Sequence, residues 1–201
     1  MMKHVSLFVA LLCALSAYAW KPQFAGHRGG YTGVMNTEES YKNGVGKYGY
    51  AGLECDVRVT SDGHYVISHD ESTTGVGGSL TVASSTLAQL QAETYQQTRG
   101  GVTYTGHICT VDEYLQICED SAVFPIIELK YTTGINSNDM SNFPGLYALI
   151  QQHNLTDRAI ILTSMLQSLI YVRQHYPDLK CQYLMNSISN DRFNACVQYG
   201  L

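Results

Sequence analysis

The sequence predicts an α/β fold in which strand-helix units wrap a parallel sheet, and three observations point to it. Short runs rich in β-branched and aromatic residues alternate with helical stretches along the chain. Charged clusters recur at the ends of those runs, where βα folds build their sites. The composition, 45% hydrophobic and 14% charged over 201 residues, is that of one folded domain and too apolar for a disordered chain.

Taken in order, Lys3 and His4 precede an apolar run from Val5 to Leu15 and an Ala17-Tyr18-Ala19 site, the pattern of a secretory signal peptide over residues 1–19. The domain is then 20–201, starting at Trp20, and its destination is secreted or periplasmic. The apolar run is short for a membrane span and no second one follows, so no stable span is expected. The first strand covers Gln23 to Gly26 and ends at His27. A helix follows an Asn36 or Thr37 cap, with Glu38 and Glu39 in the first turn, where the helix dipole favours them. The second strand runs from Gly52 to Thr60, and a Ser61-Asp62-Gly63 turn leads to the third, Tyr65 to Ser68. A Gly, Ser and Thr-rich insertion, read as flexible, extends from Glu71 to about Thr86.

Thr110-Val111-Asp112-Glu113 has capping-box spacing and opens a helix to about Cys118, so Glu113 is read as a cap and not as a catalyst. The fourth strand is Phe124 to Leu129. Pro144 starts the next helix, Ile160 to Thr163 is the fifth strand, and Ser164 caps a helix that Pro177 stops. The sixth strand is Cys181 to Met185, and a last helix capped near Ser189 or Asn190 runs to Gly200. No internal repeat or linker interrupts the series.

Charge and cysteine usage exclude several classes of function. The formal net charge is −5 at pH 7 and becomes one unit more negative without Lys3, the wrong sign for nonspecific nucleic-acid or anionic-membrane binding. A phosphate handled by this chain needs local cations. Cys55, Cys109, Cys118, Cys181 and Cys196 fit neither a disulfide scaffold nor a zinc pattern and read as buried small residues.

Four short motifs carry chemistry, each at the end of an expected strand: His27-Arg28-Gly29, Glu54-Cys55-Asp56, His69-Asp70 and Glu128-Leu129-Lys130. Alternate residues of a strand share a face, so Glu54 points with Asp56 and Glu128 with Lys130, while Cys55 and Leu129 point away. Three crowded carboxylates repel one another unless positive charge sits among them. An all-oxygen set without grouped Cys or His selects Mg²⁺ or Ca²⁺ over zinc. The formal charge balances if a phosphodiester binds: three carboxylates and the diester on one side, a divalent ion, Arg28 and Lys130 on the other. His27 and His69 can then divide the acid and base roles, because a phosphodiester needs no protein nucleophile if the attacking hydroxyl is deprotonated and the leaving oxygen protonated. His64, His153 and His175 read as surface residues near turns or helix ends and His107 as structural. Asp70 is read as a support for His69 or for a loop, with metal contact ranked second, while Asn36 could reach the site or simply cap its helix.

The order His-Arg-Gly, Asn36-Thr37, Glu-x-Asp-Val-x-x-Thr-x-Asp-Gly, His-Asp and Glu-x-Lys resembles the glycerophosphodiester phosphodiesterases over about Phe24 to Tyr131. That resemblance implies a TIM-type (β/α)8 barrel related to that of phosphatidylinositol-specific phospholipase C. It also implies hydrolysis of a small-molecule glycerophosphodiester to glycerol 3-phosphate and an alcohol, by direct water attack or through a cyclic phosphate. Carried over residue by residue, it gives Glu54, Asp56 and Glu128 as metal ligands, His27 and His69 as the acid-base pair, and Arg28 and Lys130 as phosphate contacts.

Two departures stand out. Met35 occupies a position where the family usually has Glu. A closed barrel takes eight strands and about 250 residues, whereas six strands are legible here, so a barrel truncated after about six strands is expected. Two alternatives are a lipid-directed phosphodiesterase of lysophospholipase D type and a non-catalytic truncated form that binds without turnover.

Overall fold

A computed structural model describes residues 23–201; the expected signal peptide and the start at Trp20 lie outside them. The elements in chain order are β1 (Ala25–Gly26), α1 (Glu38–Gly46), β2 (Gly52–Val59), β3 (Tyr65–Ile67), α2 (Leu87–Ala92), β4 (Tyr95–Arg99), β5 (Val102–Gly106), β6 (Cys109–Thr110) and α3 (Val111–Asp120). There follow β7 (Phe124–Leu129), α4 (Phe143–Gln152), β8 (Ile160–Thr163), α5 (Leu166–His175), β9 (Lys180–Tyr183) and α6 (Asn190–Tyr199). No helix among the described residues is long and apolar enough to cross a membrane.

Five strands, β1, β2, β7, β8 and β9, lie parallel in that spatial order. The sheet is not closed among the described residues, since β1 pairs only with β2 and β9 only with β8. The third expected strand departs from the expectation. β3 runs antiparallel to β2 (Val57 opposite Ile67) and β6 antiparallel to β3. The cause is chain length: Thr60 to His64 is a tight turn, closed by the Thr60 N–H donating to the His64 carbonyl at 2.9 Å, and a parallel return needs a crossover of a dozen residues or more.

The core follows from strand alternation. Leu53, Cys55 and Val57 on β2 and Ile127 and Leu129 on β7 are buried in one cluster with Tyr41 of α1, Tyr114 and Leu115 of α3, and Leu146 and Ile150 of α4. The Tyr114 hydroxyl reaches into this layer and donates to the Leu53 carbonyl at 2.7 Å, so its polar atom is satisfied where it is buried. The neighbours in between, Glu54, Asp56 and Arg58, are left facing the other side of the sheet. All of the described cysteines are free thiols, and Cys55, Cys109 and Cys118 are buried.

The stretch between β3 and β6 is a packed subregion and not a loose insertion. Val66, Val82, Leu90, Tyr95 and Ile108 form a second small core together with Val34. The Glu93 carboxylate gathers the Gly-rich segment by accepting from the Ser79 N–H at 2.6 Å and from the Thr73 hydroxyl at 2.7 Å. Thr86 and Gln89 form a capping box for α2. β4 and β5 form a hairpin across Gly100 and Gly101, whose φ of 57° and 79° suit a two-residue turn that a side chain would oppose.

At the helix ends, Thr110 with Glu113 and Ser189 cap as expected. Ser164 does not cap: α5 has Met165 at its N-cap without a side-chain bond. Instead the Thr163 hydroxyl accepts from the Met165 N–H.

Candidate active site

β1 ends at Gly26 and the chain turns sharply through His27, Arg28 and Gly29, with Arg28 in the left-handed region (φ 52°, ψ 38°). Two groups from α1 and its entry hold this strained turn: the Ser40 hydroxyl and the Asn36 N–H both donate to the Arg28 carbonyl, at 2.7 and 3.1 Å. Gly29 has φ 85°, and a Cβ there would stand 1.8 Å from Ser40 Oγ, so only glycine lets α1 approach this closely. The turn aims the Arg28 N–H at Glu54 Oε2, 2.8 Å away, and leaves His27 largely exposed with Nε2 3.9 Å from the same oxygen.

Glu54 and Asp56 come from one face of β2, and the register sets Glu128 of β7 opposite Asp56. One oxygen from each of the three carboxylates lies within 4.8 Å of the other two. Asp56 is fully buried and Glu54 nearly so. Burial first, and then the charge of Asp56, push the Glu54 carboxyl from 4.5 up to about 8, against the stabilising Arg28 N–H. Arg28 Nε stands 3.3 Å from Asp56 Oδ2. Lys130 Nζ lies 2.9 Å from Glu128 Oε1 and 3.4 Å from Asp56 Oδ1.

Buried Glu54 Oε1 has no hydrogen-bond partner, and Asp56 Oδ1 has none beyond its ion pair with Lys130. Unpaired buried carboxylate oxygens are costly, and an acceptor-only oxygen set at this spacing is the donor chemistry of a hard divalent cation. The residues therefore fit Mg²⁺ or Ca²⁺, with Glu54, Asp56 and Glu128 as the residues that would hold it.

β2 overshoots this level and β3 brings the chain back, so that the Ser68 N–H donates to the Asp56 carbonyl at 2.9 Å and His69 arrives on a cleft shared with Arg28 and Asn36, both partners of Asp56. His69 Nδ1–H donates to Asp70 Oδ1 at 2.7 Å, a contact compatible with support of the imidazole by Asp70. A cleft between the two histidine-bearing segments is lined by Arg28, Met35, Asn36, His69, Asp70 and Tyr95. Partial burial, followed by the charge of Arg28, lowers the His27 pKa from 6.5, against the pull of Asp56 and Glu128. A neutral imidazole at that position can accept a proton.

All seven residues singled out from the sequence thus meet around the ends of β1, β2, β3 and β7. For other residues the fold decides between two readings, as for Asn36, or overturns the expectation, as for His153. Asn36 is no cap: its Nδ2 donates to Asp56 Oδ2 at 2.8 Å while its Oδ1 accepts from the Tyr41 hydroxyl, and Thr37 takes the N-cap position. His153 is not on the surface. It is 4% exposed, with Nε2 2.9 Å from Asp112 and Nδ1 3.2 Å from Glu119, because α4 packs its C-terminal end against α3. Tyr31, which follows the His-Arg-Gly turn, lies exposed under Arg99, 5.0 Å from its ring centroid. Met35, where a carboxylate is usual, lines the cleft and gives its N–H to Gln97 of β4. Tyr95 also lines it and was not legible, since only the folded hairpin brings it there.

Comparison with known proteins agrees with this geometry. The model of the glycerophosphoryl diester phosphodiesterase family matches residues 26–195. The glycerophosphodiester phosphodiesterase of Caldanaerobacter subterraneus subsp. tengcongensis is 29% identical over 164 residues, which is 77% of this chain; the chain spans 63% of that curated relative's length. Among solved structures, an Oleispira antarctica phosphodiesterase in complex with the product sn-glycerol-3-phosphate superimposes with a TM-score of 0.74 at 20% identity, covering 92% of this chain and 74% of that one. A glycerophosphodiester phosphodiesterase from Parabacteroides distasonis gives 0.65 at 18% identity, covering 88% and 69%. At these identities the two structures speak for the fold, and the family match over most of the sequence carries the assignment: this chain belongs to the glycerophosphoryl diester phosphodiesterase family.

Proposed function

We propose that the chain hydrolyses glycerophosphodiesters to glycerol 3-phosphate and an alcohol, in a reaction that needs a divalent cation and uses His27 and His69 for proton transfer. The observation that carries this reading is the set of buried carboxylate oxygens on Glu54 and Asp56 that lack a hydrogen bond, flanked by two cationic side chains and two imidazoles. A bound Mg²⁺ or Ca²⁺ would neutralise the carboxylates and polarise a phosphoryl oxygen. Arg28 and Lys130 add the positive charge that a diester phosphate requires. One imidazole takes the proton of the attacking hydroxyl and the other protonates the leaving oxygen, for which the Asp70 carboxylate keeps His69 in one tautomer and orientation. The product named in the Oleispira antarctica complex supports glycerol 3-phosphate as the product here.

The test is product identification by phosphorus NMR with glycerophosphocholine and lysophosphatidylcholine as parallel substrates. Glycerol 3-phosphate from the first, at a rate well above any release from the second, is the expected result. Preferential release of lysophosphatidate refutes this substrate class and favours a lipid-directed enzyme. Secretion or periplasmic residence belongs to the same proposal: protein recovered outside the cytoplasm is expected to begin at Trp20, and an intact Met1 there contradicts it.

A further inference from the structure

Arg58 stands on β2 two residues beyond Asp56 and on the same face, and it is only 7% exposed. A buried guanidinium normally faces a carboxylate. Among the described residues, no carboxylate oxygen lies within 4.0 Å of this one; its fork is used on main-chain carbonyls instead. Nε donates to Ser68 at 3.2 Å, Nη2 to His69 at 2.8 Å and Nη1 to Tyr131 at 3.0 Å. The first two carbonyls belong to the segment that presents His69. The third belongs to the residue after Lys130, so one side chain spans both segments.

We propose that Arg58 is a positioning residue for the site: its guanidinium fixes the His69 segment against the Lys130 segment, so that the imidazole and the ammonium group keep their places around Asp56. This rests on the phosphodiesterase reading above. Main-chain bonds alone leave the junction thin. Toward β2 the Ser68 N–H reaches the Asp56 carbonyl and the Lys130 N–H reaches Val57 at 3.3 Å, but neither bond joins the two segments to each other. Arg58 supplies that link in three directions at once, which a planar five-donor fork can do and a point-charge ammonium cannot. Glu71, Asp56, Asp70 and Glu128 surround it as longer-range negative charge that helps keep the buried cation in place. Beside it opens a cavity of about 420 Å³, lined by Arg58, Glu71, Tyr131, Thr132, Asn136 and Asp139.

The experiment compares wild type with Arg58→Lys, which keeps the charge but loses the fork. Cation-dependent hydrolysis of glycerophosphocholine is read as kcat and KM separately, together with amide hydrogen exchange over residues 68–70 and 130–132. A shift of about 1 Å at reacting groups can cost on the order of 100-fold. The expected result is therefore a kcat lower by about 10- to 100-fold, KM within about threefold of wild type, and faster exchange in both segments together. In Arg58→Ala, millimolar methylguanidinium entering the adjoining cavity is expected to restore part of the lost kcat. Should Arg58→Lys fail to fold, Arg58→Gln, neutral and able to reach two carbonyls, takes its place. Unchanged kcat in a folded variant, or a lowered kcat without faster exchange in both segments, overturns the proposal while the phosphodiesterase reading stands. A wild-type chain without turnover overturns both.

Discussion

Glu54 holds opposite roles with and without a cation, and Glu54→Gln separates them. Without the cation, its carboxyl keeps a proton up to about pH 8 in the folded chain and releases it near 4.5 in the unfolded one. Between those values the folded state binds the extra proton, so stability falls as pH rises, by about 1.4 kcal/mol per pH unit. The contribution is fully present below 4.5 and gone above about 8, where the total reaches up to about 5 kcal/mol. The amide introduced by Glu54→Gln would accept the same Arg28 N–H and has no proton to lose. In EDTA the variant is therefore expected to gain on wild type steadily from pH 5 to pH 8. That gain, about 4 kcal/mol over three pH units, corresponds to about 8–16 °C in midpoint for a chain of this size. Saturating Mg²⁺ or Ca²⁺ should narrow the gap, and reverse it only toward pH 5, since a ligand at about 100 times its Kd adds about 2.7 kcal/mol to wild type and less to a variant that has lost one ligand. Thermal unfolding across that pH range, with and without the ion, measures both effects. A difference between variant and wild type that stays flat with pH in EDTA would refute the idea that burial and Asp56 hold the Glu54 proton.

Other expectations follow from single contacts. Asp56→Asn leaves Arg28 and Lys130 without their shared counter-charge; a cation titration by calorimetry should show affinity lowered by at least about tenfold, and wild-type affinity contradicts the ligand assignment. Gly29→Ala forces a Cβ to within 1.8 Å of Ser40 Oγ at φ 85°, so urea unfolding should show a loss of about 2 kcal/mol or more. Tyr95→Phe removes a buried hydroxyl that has no partner; stability should rise by about 1 kcal/mol, and a lowered midpoint would reveal a partner for that hydroxyl.

The sequence carried the site more clearly than the architecture around it. Period-two spacing was enough to put Glu54 with Asp56 and Glu128 with Lys130, because a strand has only two faces. The same rule placed Arg58 on that face, but its target, three carbonyls on two other segments, exists only after folding. Strand positions were legible because apolar runs bounded by turns mark them. The direction of β3 was readable too, since Ser61-Asp62-Gly63 is too short for any crossover, yet alternation with helices elsewhere suggested a uniform parallel series. The region from Leu87 to Gly106 is the least legible in the sequence although Thr86 and Gln89 have capping-box spacing and Gly100-Gly101 marks a hairpin; its polar strands, Tyr95–Arg99 and Val102–Gly106, lack a continuous apolar face. His153 shows the limit of helix-end reasoning: the dipole favours an exposed cation there, but tertiary packing against Asp112 and Glu119 decided its burial.

Whether these carboxylates and imidazoles turn over a phosphodiester is the question on which the rest depends. The decisive measurement is the initial rate of glycerol 3-phosphate release from glycerophosphocholine in EDTA, Mg²⁺ and Ca²⁺, for wild type, His27→Ala and His69→Ala. Turnover is expected with one of the ions and none in EDTA, with a kcat lower by about 10²- to 10⁴-fold in each histidine variant whose midpoint matches wild type. Turnover unaffected by EDTA, or retained in full by folded His27→Ala and His69→Ala, would contradict the proposed chemistry.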